Sequence, residues 1–176
     1  MTKEETKKIL TVINAAYPTF YKDSTEEDIA GAIGIWYEML KDCPYQDVVE
    51  AVKSFISTNE FAPTIAGIKK YIYKNKNYNI LSENDAWNIV RKALTNSLYN
   101  SEEEFKTLPD SVKKIVGSSW QLKSWATEDE RTIDSVIASN FRKAYKTEME
   151  RKQEYQQLPT DTKEKLENGT KMMIEE

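Results

Sequence analysis

The chain has 176 residues, of which 39% are hydrophobic and 31% are charged, and its formal net charge is −4. The absence of histidine removes the commonest general base and metal ligand, and a single cysteine excludes an internal disulfide and a thiolate zinc cluster. Proteins that grip duplex DNA usually carry a basic surplus. We therefore expect another protein as the partner, with no catalytic residue, metal or cofactor.

Nothing in the sequence predicts a membrane segment. A span needs about 18 or more consecutive apolar residues, and no such run occurs. Residues 1–5 are charged and lead directly into an amphipathic pattern, which is not typical of a signal peptide. A single cysteine favours a reducing compartment. We expect a cytoplasmic protein.

The first two predicted helices open with capping boxes. Thr2 and Glu5 have the required spacing, and Ser24 and Glu27 repeat it. The apolar positions that follow recur at helical spacing. They are Ile9, Leu10, Val12, Ile13 and Ala16 in the first helix, and Ile29, Ile33, Trp36 and Leu40 in the second.

Prolines mark the start of the next two helices. Pro44 lacks an N–H, which is best tolerated at the first turn of a helix, and Pro63 with Thr64 begins a further helix. An asparagine-rich stretch at residues 75–81 favours turns and predicts a domain boundary. Residues 1–76 are thus predicted to form an N-terminal head of about four helices.

The second half is predicted to contain shorter helices and one long helix. Ser82 opens a helix, Ser101 and Glu104 cap another, and Leu108-Pro109 begins a third that Gly117 ends. The four tryptophans have spacings typical of core packing, with a binding groove as the alternative. They are Trp36, Trp87, Trp120 and Trp125.

A capping box at Thr127 and Glu130 opens the longest pattern, residues 128–157. Its first half is predicted to face a core, and its polar second half to project. The core face comprises Ile133, Val136, Ile137, Asn140, Phe141, Ala144 and Tyr145. A weak helix is expected at 160–166, ended by Asn168-Gly169, before a flexible tail. The prediction is all-α: a head (1–76), a C-terminal helical domain (82–158) and a weakly ordered tail (159–176).

No sequence pattern indicates catalysis. There is no G-x-x-x-x-G-K-[ST] loop for nucleotide phosphates. The acidic runs at 26–28, 102–104 and 128–130 fall in first turns of predicted helices, where negative charge complements the helix dipole. We therefore predict a protein that is not an enzyme.

Two surfaces are candidates for binding. Basic residues alternate with tyrosines in the fourth helix, a pattern that can contact nucleic acid but also suits a solvated helix face. These residues are Lys69, Lys70, Lys74 and Lys76. Apolar residues outside any evident core form the candidate partner-binding set: Met149, Tyr155, Met172, Met173 and Ile174.

The head resembles a known family, the replicative-helicase loader/inhibitor proteins of phages that infect Gram-positive bacteria. The resemblance lies in a Trp-x-x-x-Leu-x-Asp-x-Pro-Tyr helix junction followed by a Pro-x-Ile segment. These motif residues, which have structural roles, are Trp36, Leu40, Asp42, Pro44, Tyr45, Pro63 and Ile65. The second half resembles the C-terminal region of larger phage members through short motifs such as Asp85-Ala86-Trp87 and Leu108-Pro109.

The resemblance implies a DNA-replication accessory protein. Such proteins bind the hexameric replicative helicase, inhibit its ATPase and unwinding activities, and load it at the origin through an origin-bound phage initiator. In shorter members the flexible C-terminal end contacts the helicase. The resemblance implies an ATP-bound helicase hexamer and the initiator as partners, whether the helicase belongs to host or phage.

Two other functions are open alternatives. The first is a DNA-binding replication or regulatory adaptor that uses the basic helix. The second is an inhibitor that only sequesters a host replication factor and never promotes helicase delivery.

Overall fold

Helices are the regular secondary structure of this protein. The computed structural model describes residues 1–20, 22 and 24–174, with side chains described through residue 168. No strand occurs among these residues, which confirms the all-α prediction. None of the described helices combines the length and the apolar composition needed to cross a bilayer.

The helices form two compact units. The first contains Met1–Tyr78 and the chain from Gln153 onward, and the second contains Asn79–Lys152. The first unit includes α1 (Lys3–Ala16), α2 (Glu26–Leu40), α3 (Tyr45–Ile56), α4 (Ile65–Lys76) and α11 (Thr160–Ile174). The second includes α5 (Glu83–Leu94), α6 (Ser97–Thr107), α7 (Asp110–Val116), α8 (Ser119–Ala126), α9 (Glu130–Thr132) and a π-helical segment (Ile133–Ile137). The long helix α10 (Ala138–Gln157) contributes residues to both.

The sequence predicted three parts, and that division stays a proposal. The two units differ from it at one point. Residues 153–158, assigned there to the second domain, pack with the first unit. The segment predicted as a weakly ordered tail carries α11, which continues past Asn168-Gly169 to Ile174. A glycine lowers helix propensity by about 1 kcal/mol relative to alanine, and here it does not end the helix.

Side-chain caps fix where α1, α2, α4, α5, α8 and α9 begin. Thr2 and Glu5 form the predicted capping box of α1. The box that opens α2 is shifted by one residue from the predicted Ser24: Thr25 accepts from the Asp28 amide, and the Asp28 carboxylate accepts from the Thr25 amide. This register places three acidic residues in the first turn, where they complement the helix dipole.

The cap of α9 is also shifted from its predicted position. Asp129, rather than Thr127, accepts hydrogen bonds from the amide and the hydroxyl of Thr132. A carboxylate that accepts both bonds satisfies the first turn more fully than the threonine hydroxyl could.

The head, Met1–Tyr78, has a single hydrophobic core made by α1 to α4. Its buried members are Ile9, Leu10, Ile13, Tyr17, Trp36, Leu40, Val48, Ala51, Val52, Ile68 and Ile72. All described residues of this core, including those partly buried against it, lie between residues 1 and 72. The chain from Gln153 onward therefore packs on a head whose core is already complete. Val12, predicted to face this core, is 49% exposed because it lies beside the stripe that carries Ile9 and Ile13.

The second unit has its own core, formed by α5 to α10. Its buried members are Ala86, Trp87, Val90, Ala93, Leu94, Leu108, Val112, Val116, Leu122, Ile133, Ala138, Phe141 and Tyr145. The Phe141 ring lies 5.6 Å from Trp87 and 6.0 Å from Tyr145, measured between centroids. Trp120 is 73% exposed, so its predicted place in the core is wrong. It precedes the buried Leu122 by two positions, about 200° around the helix.

The π-helical segment Ile133–Ile137 changes which residues of the long helix face the core. A π turn holds more residues than an α turn, so the buried series runs Ile133, Ala138, Phe141, Tyr145. The prediction that Val136, Asn140 and Ala144 face the core is therefore wrong, because all three are exposed.

Candidate functional site

Most of the family-motif residues support the head. Trp36 and Leu40 are buried in its core, and Tyr45 and Ile65 pack against it. Pro63 is also buried. These five positions therefore shape the α2–α3 junction and the start of α4.

Asp42 has a different role because its side chain binds a distant part of the chain. Its Oδ2 accepts a hydrogen bond from the Thr160 amide at 3.2 Å, across 118 residues of sequence. Thr160 is the first residue of α11, where amides lack partners within the helix. The hydrogen bonds from Thr160 are the main cause of the lowered pKa of the Asp42 carboxyl.

Lys69 binds the neighbouring helix end, the C-terminus of α10. Its Nζ donates to the Gln157 carbonyl oxygen at 2.8 Å, and Gln157 is the last residue of α10. The lysine is only 8% exposed, and burial lowers its pKa. Lys69 therefore serves an intramolecular contact, whereas the sequence made it a candidate for contact with nucleic acid.

A groove on the head receives the corner between α10 and α11. The groove has a volume of about 220 Å³ and is partly open to solvent. The head residues that line it include Met39, Asp42, Cys43, Pro44, Lys69, Ile72, Tyr73 and Lys76, and the corner contributes Gln156 to Thr160 and Lys163. Burial raises the pKa of the Cys43 thiol above its ordinary value.

The corner is braced by contacts within the α10–α11 hairpin. Lys163 Nζ donates to the Gln156 carbonyl oxygen at 3.0 Å and lies 5.8 Å from the centroid of the Tyr155 ring. The Tyr155 hydroxyl donates to the Glu167 carboxylate, which raises the pKa of Tyr155. These contacts join the end of α10 to the first turns of α11.

The remaining lysines of α4 do not form a single basic patch. Lys76 pairs with Asp47 at 2.5 Å, and Lys74 lies 5.7 Å from the centroid of the Tyr71 ring. Lys70 is exposed. The structure thus leaves Lys70 and Lys74 as the lysines best placed for an outside partner.

The residues of the predicted partner-binding set lie in three environments. Met149 is half-buried against the core of the second unit, and Tyr155 is 37% exposed in the hairpin. Met172, Met173 and Ile174 form the last turn of α11, and their side chains lie outside the described part of the structure. The set remains a prediction.

No sequence pattern predicted the contacts made by Gln157, Thr160 and Lys163. Pro159 indicated a helix start, but a local pattern does not show where a corner will dock. No cluster of histidine, cysteine, aspartate and glutamate suited to a metal ion occurs among the described residues.

The fold defines a class of small all-α head domain, whose groove is lined in part by a later segment of the same chain. Residues 1–69 match the family model for the N-terminal domain of the gene 39 protein, the helicase loader/inhibitor of phage SPP1. The family resemblance inferred for the head is confirmed over this range. The comparisons with curated proteins and with solved structures give no match.

Proposed function

We propose that this protein is a phage DNA-replication accessory protein that binds the hexameric replicative helicase, inhibits its ATPase and unwinding activities, and loads it at the origin through an initiator. The family match over residues 1–69 carries this proposal, because it associates the head with helicase-linked phage replication proteins. The sequence has no nucleotide-binding loop. On this proposal the helicase, and not this chain, binds and hydrolyses ATP.

Inhibition follows if the protein prefers one state of the helicase. A ligand shifts a conformational equilibrium only by its difference in affinity for the two states. A tenfold preference corresponds to about 1.4 kcal/mol. We propose that the ATP-bound state is the preferred one, so that binding stalls the cycle without any chemistry by this chain.

The C-terminal segment supplies the proposed contact. Tyr155 presents part of its ring to solvent, and Met172, Met173 and Ile174 provide flexible apolar side chains of a kind that suits adaptable surfaces. Met149 contributes less on this view because it packs against the second unit.

Size-exclusion chromatography with the purified helicase tests the proposal. Co-elution should be stronger with a non-hydrolysable ATP analogue than without nucleotide, and helicase ATPase activity should fall to a plateau as this protein is added. Separate elution in both conditions would contradict the proposal, as would ATP hydrolysis by this chain alone.

The contact itself is tested in the full chain. Met172→Ser with Met173→Ser should weaken helicase binding roughly 30-fold, the effect of losing a hot spot of about 2 kcal/mol. Lys165→Ser is the matched control because Lys165 is exposed on the same helix. Equal affinities for the two variants would remove the last turn of α11 from the interface.

DNA binding is checked in the same preparations. Contact through Lys70 and Lys74 predicts affinity that falls steeply with salt and is lost in Lys70→Glu. An inhibitor that only sequesters a host factor predicts binding to the host loader and no delivery of helicase to DNA. Either outcome would contradict the loader proposal and support the corresponding alternative.

A further inference from the structure

We propose that residues 156–163 form a latch that closes reversibly over the groove of the head, and that the latch must open before the C-terminal segment can bind the helicase. The second part rests on the proposed function, whereas the first does not. In the closed latch, Lys69 binds the end of α10 and Asp42 binds the start of α11.

The two anchors match the electrostatics of the helix ends. A lysine satisfies carbonyl groups at a helix C-terminus, and an aspartate satisfies amides at an N-terminus. Because Asp42 and Lys69 belong to different parts of the head, they hold the corner at two points. The groove therefore recognises a particular geometry, in which one helix ends and the next begins within a few residues.

The closed latch is poorly packed compared with a core. Beside the corner the groove keeps a volume of about 220 Å³ that is partly open to solvent, whereas protein interiors are close-packed. Leu158 is only half-buried. The described core of the head comes entirely from residues 1–72, so opening the latch does not require the head to unfold.

Closing the latch also has an electrostatic cost. Lys69 is buried without a salt bridge in the described part of the chain, and its hydrogen-bond acceptor is a neutral carbonyl. Burying an ammonium group is unfavourable, and the attraction of the nearby Asp42 carboxylate offsets only part of this cost, because burial is the largest cause of the lowered Lys69 pKa. When the latch opens, water can solvate Lys69, which offsets part of the lost contact. Because the contacts of the closed latch and the solvation of Lys69 in the open latch oppose one another, binding of a partner can shift the equilibrium between the two states.

The first test measures the ratio of open to closed latch in the absence of helicase. Met39 lines the groove, so the NMR signal of its ¹³C-labelled methyl group reports whether the corner is docked. Asp42→Ala should raise the ratio of open to closed molecules roughly 2- to 30-fold, the range for loss of a helix N-cap. The exposed residue Glu50 supplies the control, Glu50→Ala.

Lys69→Glu should open the latch further because it places a carboxylate against the Gln157 carbonyl oxygen and near Asp42. Lys70→Glu is its control, with the same charge change on an exposed neighbour. If the latch has only two states, the Met39 methyl peaks of wild type, Asp42→Ala and Lys69→Glu lie on one straight line in the NMR spectrum. An unchanged signal in Asp42→Ala, whose side chain lies on the surface, would overturn the latch.

The second test adds the helicase. Asp42→Ala should bind it more tightly, by the factor by which the fraction of open molecules rises. Leu158→Cys places a second thiol in the lining of the groove that also contains Cys43, and a disulfide or a short bismaleimide bridge then locks the latch. The locked protein should lose helicase binding, and reduction of the disulfide should restore it.

The outcomes separate the two proposals. If no variant binds helicase but the Met39 signal shifts, the latch stands and the proposed function fails. If the signal shifts and open, wild-type and locked proteins bind helicase equally, the regulatory role of the latch is overturned.

Discussion

Replacing Ala138 by leucine should destabilise the second unit far more than the same replacement at Ala144. Ala138 has no exposed surface, whereas Ala144, on the same helix, is exposed. A regular α-helix through Ile133 and Ile137 would favour the opposite result, since Ala144 would follow them toward the core. The pair therefore tests the register that the π-helical segment imposes.

The magnitude follows from packing. Adding methylene groups at a filled core site costs about 1–3 kcal/mol, and each kcal/mol lowers the unfolding midpoint by roughly 4–8 °C in a unit of this size. We therefore expect Ala138→Leu to lower the midpoint by roughly 4–24 °C. A substitution at an exposed site usually changes stability by less than about 0.5 kcal/mol, so Ala144→Leu should change it by a few degrees at most.

Thermal unfolding followed by tryptophan fluorescence measures this difference. Trp87, Trp120 and Trp125 lie in the second unit and only Trp36 lies in the first, so the signal mainly reports the second unit. Circular dichroism, followed in parallel, checks that both variants are helical before heating. Equal losses in the two variants, or a larger loss in Ala144→Leu, would refute the shifted register.

Two other predictions concern the head and the caps. Ile13→Ala should destabilise the head by about 2–5 kcal/mol because Ile13 is fully buried, whereas Ile35→Ala, at a site 61% exposed, should cost less than about 0.5 kcal/mol in urea denaturation; similar losses would contradict the assigned core. Hydrogen bonds from Thr132 lower the pKa of Asp129 below its ordinary 3.8, so the contribution of the charged cap is complete above that value and is lost as pH falls through the lowered pKa. Because asparagine also caps helices, Asp129→Asn should lose only this acid dependence, and a midpoint difference from wild type that stays constant from neutral pH to well below the lowered pKa would contradict the assignment.

Local patterns predicted the helices well and their exact starts less well. Thr2 with Glu5 and Ser82 cap the helices where the sequence placed them, because a cap depends on residues three apart. Before α2 and α9 the spacing rule selected Ser24 and Thr127, whereas the structure uses Thr25 and Asp129. Choosing between neighbouring caps depends on the whole first turn, which a single spacing rule does not include.

Two features required information beyond local pattern. The π-helical segment changes the phase of the long helix by one residue, and periodicity assumed a constant 3.6 residues per turn. Asp42 belongs to the motif that indicated the family, yet its carboxylate binds Thr160, 118 residues away. A sequence shows such a carboxylate but not its distant partner.

The latch also determines how truncation experiments should be interpreted. Removing residues 147–176 deletes the proposed helicase contact, but it also removes the corner that occupies the groove and Glu148, which pairs with Lys114 in the second unit. Lost binding in such a truncation would therefore have three explanations. Unchanged binding would have only one, that the contact lies elsewhere. The full-length pair of Asp42→Ala and locked Leu158→Cys avoids this ambiguity, because both proteins keep every proposed contact residue and differ in whether the hairpin can leave the head.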